Sequence, residues 1–262
     1  MAERKTKTLA NATELTSIAD GQKLILADGN GKTLKISLAN LKSALLANMS
    51  LNMMADNVFI MTHRCKTYND NCPLAIKPEY WVSGYQSQGE VADGVLVIDG
   101  GRQLVIAPTE STDKLLWSSA EINCGAIIGD RLAAIADFNG KANTAKQIAA
   151  SKDAAITNTA NYAPGFCNLY SRANANGKGL TAGRWWLPSL GEMLMIYSNM
   201  NKINYALSLI EGATLLQRDW YWTSTEFSST GAWHLNLNDG LTGWNTKASS
   251  KNRVRAVSAF LN

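Results

Sequence analysis

The stretch from Trp220 to Val257 constrains this chain more than any other. Two ordered, apolar-rich ends, Trp220-Tyr-Trp-Thr-Ser-Thr-Glu226 and Arg253-Val-Arg-Ala-Val257, enclose a run of aromatic, Asn, Ser, Thr and Gly residues. Few groups in that run do acid/base chemistry, whereas its aromatic and amide side chains suit adaptable contacts, so it reads as a recognition surface between strands. Six of the eight Trp fall in the last third of the chain, at 185, 186, 220, 222, 233 and 244. Trp186 and Trp222 are expected in a core, because alternating faces bury one of each aromatic pair. Trp244 is expected at a contact surface, since Asn238-Asp-Gly-Leu-Thr-Gly-Trp-Asn245 carries two Gly and no alternation, the pattern of a loop.

With 262 residues, 46% of them apolar, the chain supplies core for one large domain or two modest ones. Its 25 basic and 21 acidic residues are scattered, leaving no stripe for a phosphate backbone to follow, which argues against nucleic-acid binding. No apolar h-region follows the basic start and no eighteen apolar residues run together, so neither a secretion signal nor a membrane span is expected. Cys65, Cys72, Cys124 and Cys167 are too sparse for a disulfide scaffold and match no zinc spacing. They read as reduced and mostly buried, although the turn-like Asn69-Asp70-Asn71 leaves a Cys65–Cys72 bridge open.

The organisation predicts two parts, residues 1–55 and 56–262. A polar, aperiodic lead over 1–20 precedes Lys23-Leu-Ile-Leu-Ala27 and Thr33-Leu-Lys-Ile-Ser37, which flank two glycines and form a hairpin signal. Gly31-Lys32-Thr33 is no phosphate-binding loop, because the glycine needed five residues earlier is Leu26. Leu38, Leu41, Leu45, Leu46 and Met49 then fall at helical spacing. A hairpin and helix this small bury too little alone, so this part reads as an anchoring or oligomerisation module. Beyond it, strands are predicted at 58–61, 80–82, 95–98, 103–107, 220–224, 232–237 and 253–259. Helices are predicted at 142–155, after a turn at 137–141, and at 190–209, entered by Pro188-Ser189.

Catalytic patterns are thin. His63 and His234 are the two histidines, and neither sits in a nucleophile motif. Cys65 lies two residues after His63, which on a strand places both on one face and supports, as an alternative reading, a hydrolase or modifying enzyme using His63, Cys65 and a carboxylate. Glu110, Asp113, Asp130 and Asp137 read as solvated turn carboxylates.

Gly183-Arg-Trp-Trp-Leu-Pro-Ser-Leu-Gly-Glu192, the helical stretch after it, Tyr221-Trp-Thr-Ser-Thr-Glu226 and Arg253-Val-Arg-Ala-Val257, in that order, resemble a domain shared by the C-termini of Legionella collagen-like proteins, by many Bacteroides and phage proteins, and by the variable proteins of diversity-generating retroelements. The resemblance covers roughly 56–262 and is strongest over 160–262. It implies an α+β, C-type lectin-like domain whose C-terminal strands and loop display a ligand-binding face. Nothing after Cys167 is Cys, unlike the sulfatase-modifying enzymes of the same broad fold. Diversified relatives carry an Asn-rich template where residues 227–247 lie here. Most residues of that run are reachable from an Asn codon by changing adenines, while Trp244 is not.

The resulting expectation is a non-enzymatic receptor-binding protein of phage-tail or prophage type, with a structural surface protein as a further alternative. Phe227, Trp233, Leu241 and Trp244 would supply apolar contact area, and His234, Asn236, Asn238, Asp239, Asn245 and Thr246 hydrogen bonds, with Ser228, Thr230 and Lys247 completing the displayed run. If Trp233, Leu235 and Leu237 are core, His234, Asn236 and Asn238 point to ligand, the arrangement favoured here. No cofactor is expected, and no calcium, because Asn236, Asn238 and Asp239 are too few to hold it. The expected partner is a cell-surface protein or glycan. A homo-oligomer, with a trimer first among the options, or attachment to a virion would follow from residues 1–55.

Overall fold

The computed structural model describes residues 23–27, 33–37, 57–152 and 154–260. The chain divides into two units, Met1–Asp56 and Asn57–Asn262. In the first, β1 (Lys23–Ala27) pairs antiparallel with β2 (Thr33–Ser37), placing Lys23 opposite Ser37 and Ala27 opposite Thr33. The helix expected from Leu38 to Met49 and the polar lead lie outside the described residues.

The second unit is α+β with antiparallel sheets. It opens with β3 (Val58–His63), β4 (Pro73–Ile76), α1 (Pro78–Gly84), β5 (Ala92–Asp99), β6 (Arg102–Ile106) and β7 (Leu115–Leu116). Then come α2 (Arg131–Ile135), α3 (Gly140–Ala150), α4 (Ala163–Leu169), β8 (Arg172–Ala173), β9 (Gly179–Leu180), α5 (Leu190–Ser198) and α6 (Met200–Ser208). The chain finishes with β10 (Trp220–Glu226), β11 (Gly231–Asn236), β12 (Thr242–Thr246), β13 (Lys251–Asn252) and β14 (Val257–Ser258).

A five-stranded sheet in the order β14-β6-β5-β3-β4 forms the centre. Gly100 and Gly101, at φ +54° and +75°, close the β5–β6 hairpin with Asp99 opposite Arg102, a turn that residues with a Cβ strain to make. Side-chain alternation splits the core in two: Val95 and Val97 face one cluster, with α5 and α6, while Leu96 and Val105 face the other, with Trp117, Trp185 and Trp222. Both members of the Trp185–Trp186 pair are therefore buried, one in each cluster.

Several predicted elements differ. Tyr80-Trp-Val82 is helical, in α1: Pro78 pre-sets the first turn, and the exposed–buried–exposed sequence that mimics a strand is too short to separate the two periods. The stretch 190–209 is two helices, broken at Asn199 (φ −108°, ψ 7°), whose side-chain amide donates to the Met195 carbonyl at 2.9 Å in competition with the backbone. The helix over 142–155 begins earlier, at Gly140, and stops at Ala150. Residues 253–259 are not one strand, because Arg253 bonds to β10 whereas Val257 pairs with Ile106, so the segment crosses from one sheet to the other. Buried Arg255 holds that crossing, donating to the Ala107 and Thr214 carbonyls and to Glu110. Glu110 and Asp137 are buried and bonded rather than solvated, Asp137 accepting from Asn143 and from the Thr225 hydroxyl.

Candidate binding surface

The displayed run maps onto a separate three-stranded sheet, β10-β11-β12. β11 lies in the middle, with Trp222 opposite His234 on one side and Trp233 opposite Trp244 on the other. Its alternation sends Trp233 and Leu235 into one core cluster and Ala232 into the other. Both faces of β11 are thus covered from Gly231 to Leu235, and of this strand only Asn236, at its end, is partly exposed.

This corrects three expected contact residues. Trp233 is buried, its indole N–H donating to the Ile128 carbonyl at 2.8 Å. His234 is buried as well, stacked on Trp220 at 4.0 Å between ring centroids, with Nδ1 and the Asn252 amide 3.1 Å apart. A Cβ on Gly243 would stand 2.8 Å from its Nε2, so glycine makes room for the ring. Burial pushes the His234 pKa down to about 4, leaving the ring neutral at physiological pH. Lys247 is fully buried: its Nζ donates to Glu226 at 2.5 Å and to the Ile122, Ser228 and Ser229 carbonyls. Glu226 also accepts the Cys124 and Ala126 N–H groups, so the pair clamps the 122–126 loop to the sheet. A single lysine in a polar run carries no signal of this, because Ile122 and the rest of the loop that closes over it lie more than a hundred residues away in sequence, and Glu226, Ser228 and Ser229 face it only once β10 and β11 have folded back.

Trp244 stays outside. It belongs to β12 rather than to a loop, because the two glycines hid a strand that the ladder to β11 makes plain. It is 48% exposed and lies flat on Phe227, 4.6 Å between centroids and 4° between planes. Phe227 in turn meets Trp233 edge-on at 5.4 Å, so an aromatic ladder runs from core to surface. A Cβ on Gly231 would stand 3.1 Å from the Trp244 ring, so the residue facing this stack must be small.

The remaining expected residues fall into two groups at opposite ends of the β11–β12 hairpin. At the tight turn, Asn236 accepts the Asn238 N–H and Asp239 accepts the Leu241 N–H, while Asn238, Asp239 and Leu241 are exposed. Beside that turn is a cavity of about 330 Å³ lined in part by Tyr197, Asn201, Arg218 and Asn238, a feature with no linear signature. At the other end are Ser228 and Thr230, half-buried and hydrogen-bonded to each other, and exposed Thr246, bonded to Ser249 and Ser250. Asn245 is half-buried along β12.

Elsewhere, His63 ends β3 and its Nδ1 lies 2.7 Å from Asp93, both buried. Cys65 has left the strand, its N–H held by Glu90, so the shared face expected of His63 and Cys65 is lost. All four cysteines are free, with only Cys72 exposed. Glu192 is a buried carboxyl that sequence reasoning passed over; it accepts the Trp186 indole N–H and caps α5 with Ser189, and burial pushes its pKa up to about 7. Among the described residues, no three His, Cys, Asp or Glu side chains cluster to hold a metal ion, and no helix is long and apolar enough to cross a membrane.

Neither a family model nor a curated protein matches the chain. Among solved structures, a fimbrial protein from Bacteroides ovatus is similar at 14% identity and a TM-score of 0.46, over 78% of this chain and 48% of that one. The chain spans about half the length of that protein, and a likeness this distant says nothing of what this chain binds.

Proposed function

We propose that the chain is a non-enzymatic binding protein in which residues 56–262 form a C-type lectin-like domain and the Trp244–Phe227 stack is the centre of its contact surface. The observation that carries this reading is an indole 48% exposed yet held flat against a second ring, an aromatic anchor that loses little entropy on contact. Asn238, Asp239, Leu241, Asn245 and Thr246 lie along the same hairpin and add hydrogen-bonding and apolar rim area. Residues 1–55 would attach or oligomerise the chain, and linked sites would turn weak contacts into avidity, as suits a phage-tail or receptor-binding component. The partner would be a cell-surface protein or glycan, and the surface itself a diversifiable one.

The test is cell binding by the fluorescently labelled full-length protein, measured by flow cytometry for the parent, Trp244→Ala and an Asn238/Asp239/Leu241 triple alanine variant. Asn238, Asp239 and Leu241 are exposed, so each should shift stability by about 0.5 kcal/mol or less, whereas Trp244→Ala gives up the Phe227 stack at a cost of about 0.5–1.5 kcal/mol or somewhat more; both variants stay folded while binding falls. Retained binding in both folded variants would reject the surface. A reverse transcriptase gene beside the coding sequence, with a near-copy of its 3′ end differing at adenines, would support diversification. The second reading, a hydrolase or modifying enzyme using His63, Cys65 and a carboxylate, keeps the His63–Asp93 pair but not the shared face with Cys65, and its signature would be an activity lost in His63→Gln.

A further inference from the structure

β12 ends the β10-β11-β12 order, so one of its edges carries no strand. Two bonds fix the parity of its ladder: the Asn236 N–H donates to the Leu241 carbonyl and the Lys247 N–H to the Thr230 carbonyl, each at 2.9 Å. In the register that pairs Ala232 with Asn245 and His234 with Gly243, residues 241, 243, 245 and 247 therefore face β11. Thr242, Trp244 and Thr246 turn their main-chain groups the other way. Among the described residues, only the Thr246 carbonyl finds a partner there, the Ser250 N–H at 3.1 Å. The N–H and C=O of Thr242, those of Trp244 and the N–H of Thr246 remain, spaced at the pitch of a strand.

Edges of this kind are normally blunted by charge, proline or a bulge. β12 reads Thr-Gly-Trp-Asn-Thr, with neither charge nor proline, and Lys247 after it is turned inward on Glu226. Trp244 belongs to that edge strand and, although its ring rests on Phe227 and beside Gly231, it stays 48% exposed, open to a side chain of an added neighbour. Alternating donors and acceptors at strand spacing match an extended peptide, whereas a helix satisfies its own backbone and a glycan has no such repeat.

We propose that β12 captures an extended, uncharged segment of a partner protein by strand addition, with main-chain bonds to Thr242, Trp244 and Thr246 and one side chain packed on the Trp244 ring. This rests on the binding-surface reading above and names its partner class.

The test uses the full-length protein and a panel of soluble fluorescein-labelled nonapeptides whose uncharged central residues alternate Thr with Val, Ile, Tyr or Phe, read by fluorescence anisotropy. Thr246→Pro removes the outward N–H, together with the hydroxyl bonded to Ser249 and Ser250, and no bond to β11, so the strand pairing stays; measured against Thr246→Ala, which lacks the same hydroxyl but keeps the N–H, affinity for bound peptides falls about tenfold. Trp244→Ala weakens the same peptides. N-methylation of the peptide residues facing β12 abolishes binding and methylation of the intervening ones does not, which tests the geometry without relying on a variant's folding. The proposal is overturned if no peptide of the panel binds, if both methylation sets bind alike, or if the parent chain instead dimerises through β12 and Thr246→Pro restores the monomer. In the cell-binding assay, loss in Trp244→Ala with binding by Thr246→Pro no weaker than by Thr246→Ala means recognition by side chains, as of a glycan; that rejects strand addition and leaves the broader reading standing. Loss in neither rejects both.

Discussion

Replacing Lys247 with Met should weaken the domain by about 3–5 kcal/mol, the usual cost of removing one partner from a buried ion pair. The two side chains are each 0% exposed and 2.5 Å apart, so the stranded Glu226 carboxylate has no water to turn to. Three carbonyls lose a donor in the same step, Ile122 at 2.7 Å, Ser228 at 2.9 Å and Ser229 at 3.3 Å, which pushes the cost toward the upper end. Nζ also sits 4.6 Å over the Trp117 ring, a contact that Met keeps in shape but not in charge. For a unit of this size the loss corresponds to a fall of roughly 6–20 °C in Tm. Urea unfolding of the full-length protein, followed by tryptophan fluorescence, measures it, alongside Glu226→Gln and the double variant. The double variant should be less destabilised than the two single ones added together, since no unpaired charge remains in it. A loss below about 1 kcal/mol for Lys247→Met, the range of exposed pairs, would refute the buried clamp and return Lys247 to the surface.

Trp222→Ala should cost about 3–5 kcal/mol, because the ring is wholly buried and its N–H is bonded to the Leu115 carbonyl; a loss below about 1 kcal/mol would place it outside the core. Two buried groups set opposed pH slopes. Burial raises Glu192 to about 7 from an ordinary 4.5, so its contribution to stability is complete below pH 4.5 and is lost as pH rises through 7. Burial lowers His234 to about 4 from 6.5, so its contribution is present above pH 6.5 and is lost as pH falls toward 4. Between 4.5 and 6.5 they offset each other; there the stability of Glu192→Gln should climb with pH by up to about 1.4 kcal/mol per unit, and that of His234→Gln should decline. Denaturant midpoints across that range would expose the error if either variant ran flat.

What could be read locally was read well where a residue's job is local. Gly100-Gly101 announces its own turn, Pro188-Ser189 announces the start of α5, and the Val95-Leu-Val-Ile98 run of β5 is apolar without a break because both faces of the strand are covered. The signal failed where two periods coincide or glycine removes a side chain: three residues at 80–82 satisfy helix and strand alike, and Gly243 blanks the alternation that would have revealed β12.

Sequence by itself determined the α+β composition, the aromatic-rich C-terminal strands, the burial of Trp186 and Trp222, and the outward position of Trp244. Only the tertiary structure decided which polar residues of the 227–247 run remain available. His234 and Lys247 look like contact residues in the linear pattern, yet one is closed in by Trp220 and Asn252 and the other by Trp117, Ile122 and Glu226. Period two states which residues share a face of a strand; whether that face meets water depends on other segments that fold over it, as near in sequence as Asn252 is to His234 or as far as Ile122 is from Lys247, and no local pattern encodes their arrival.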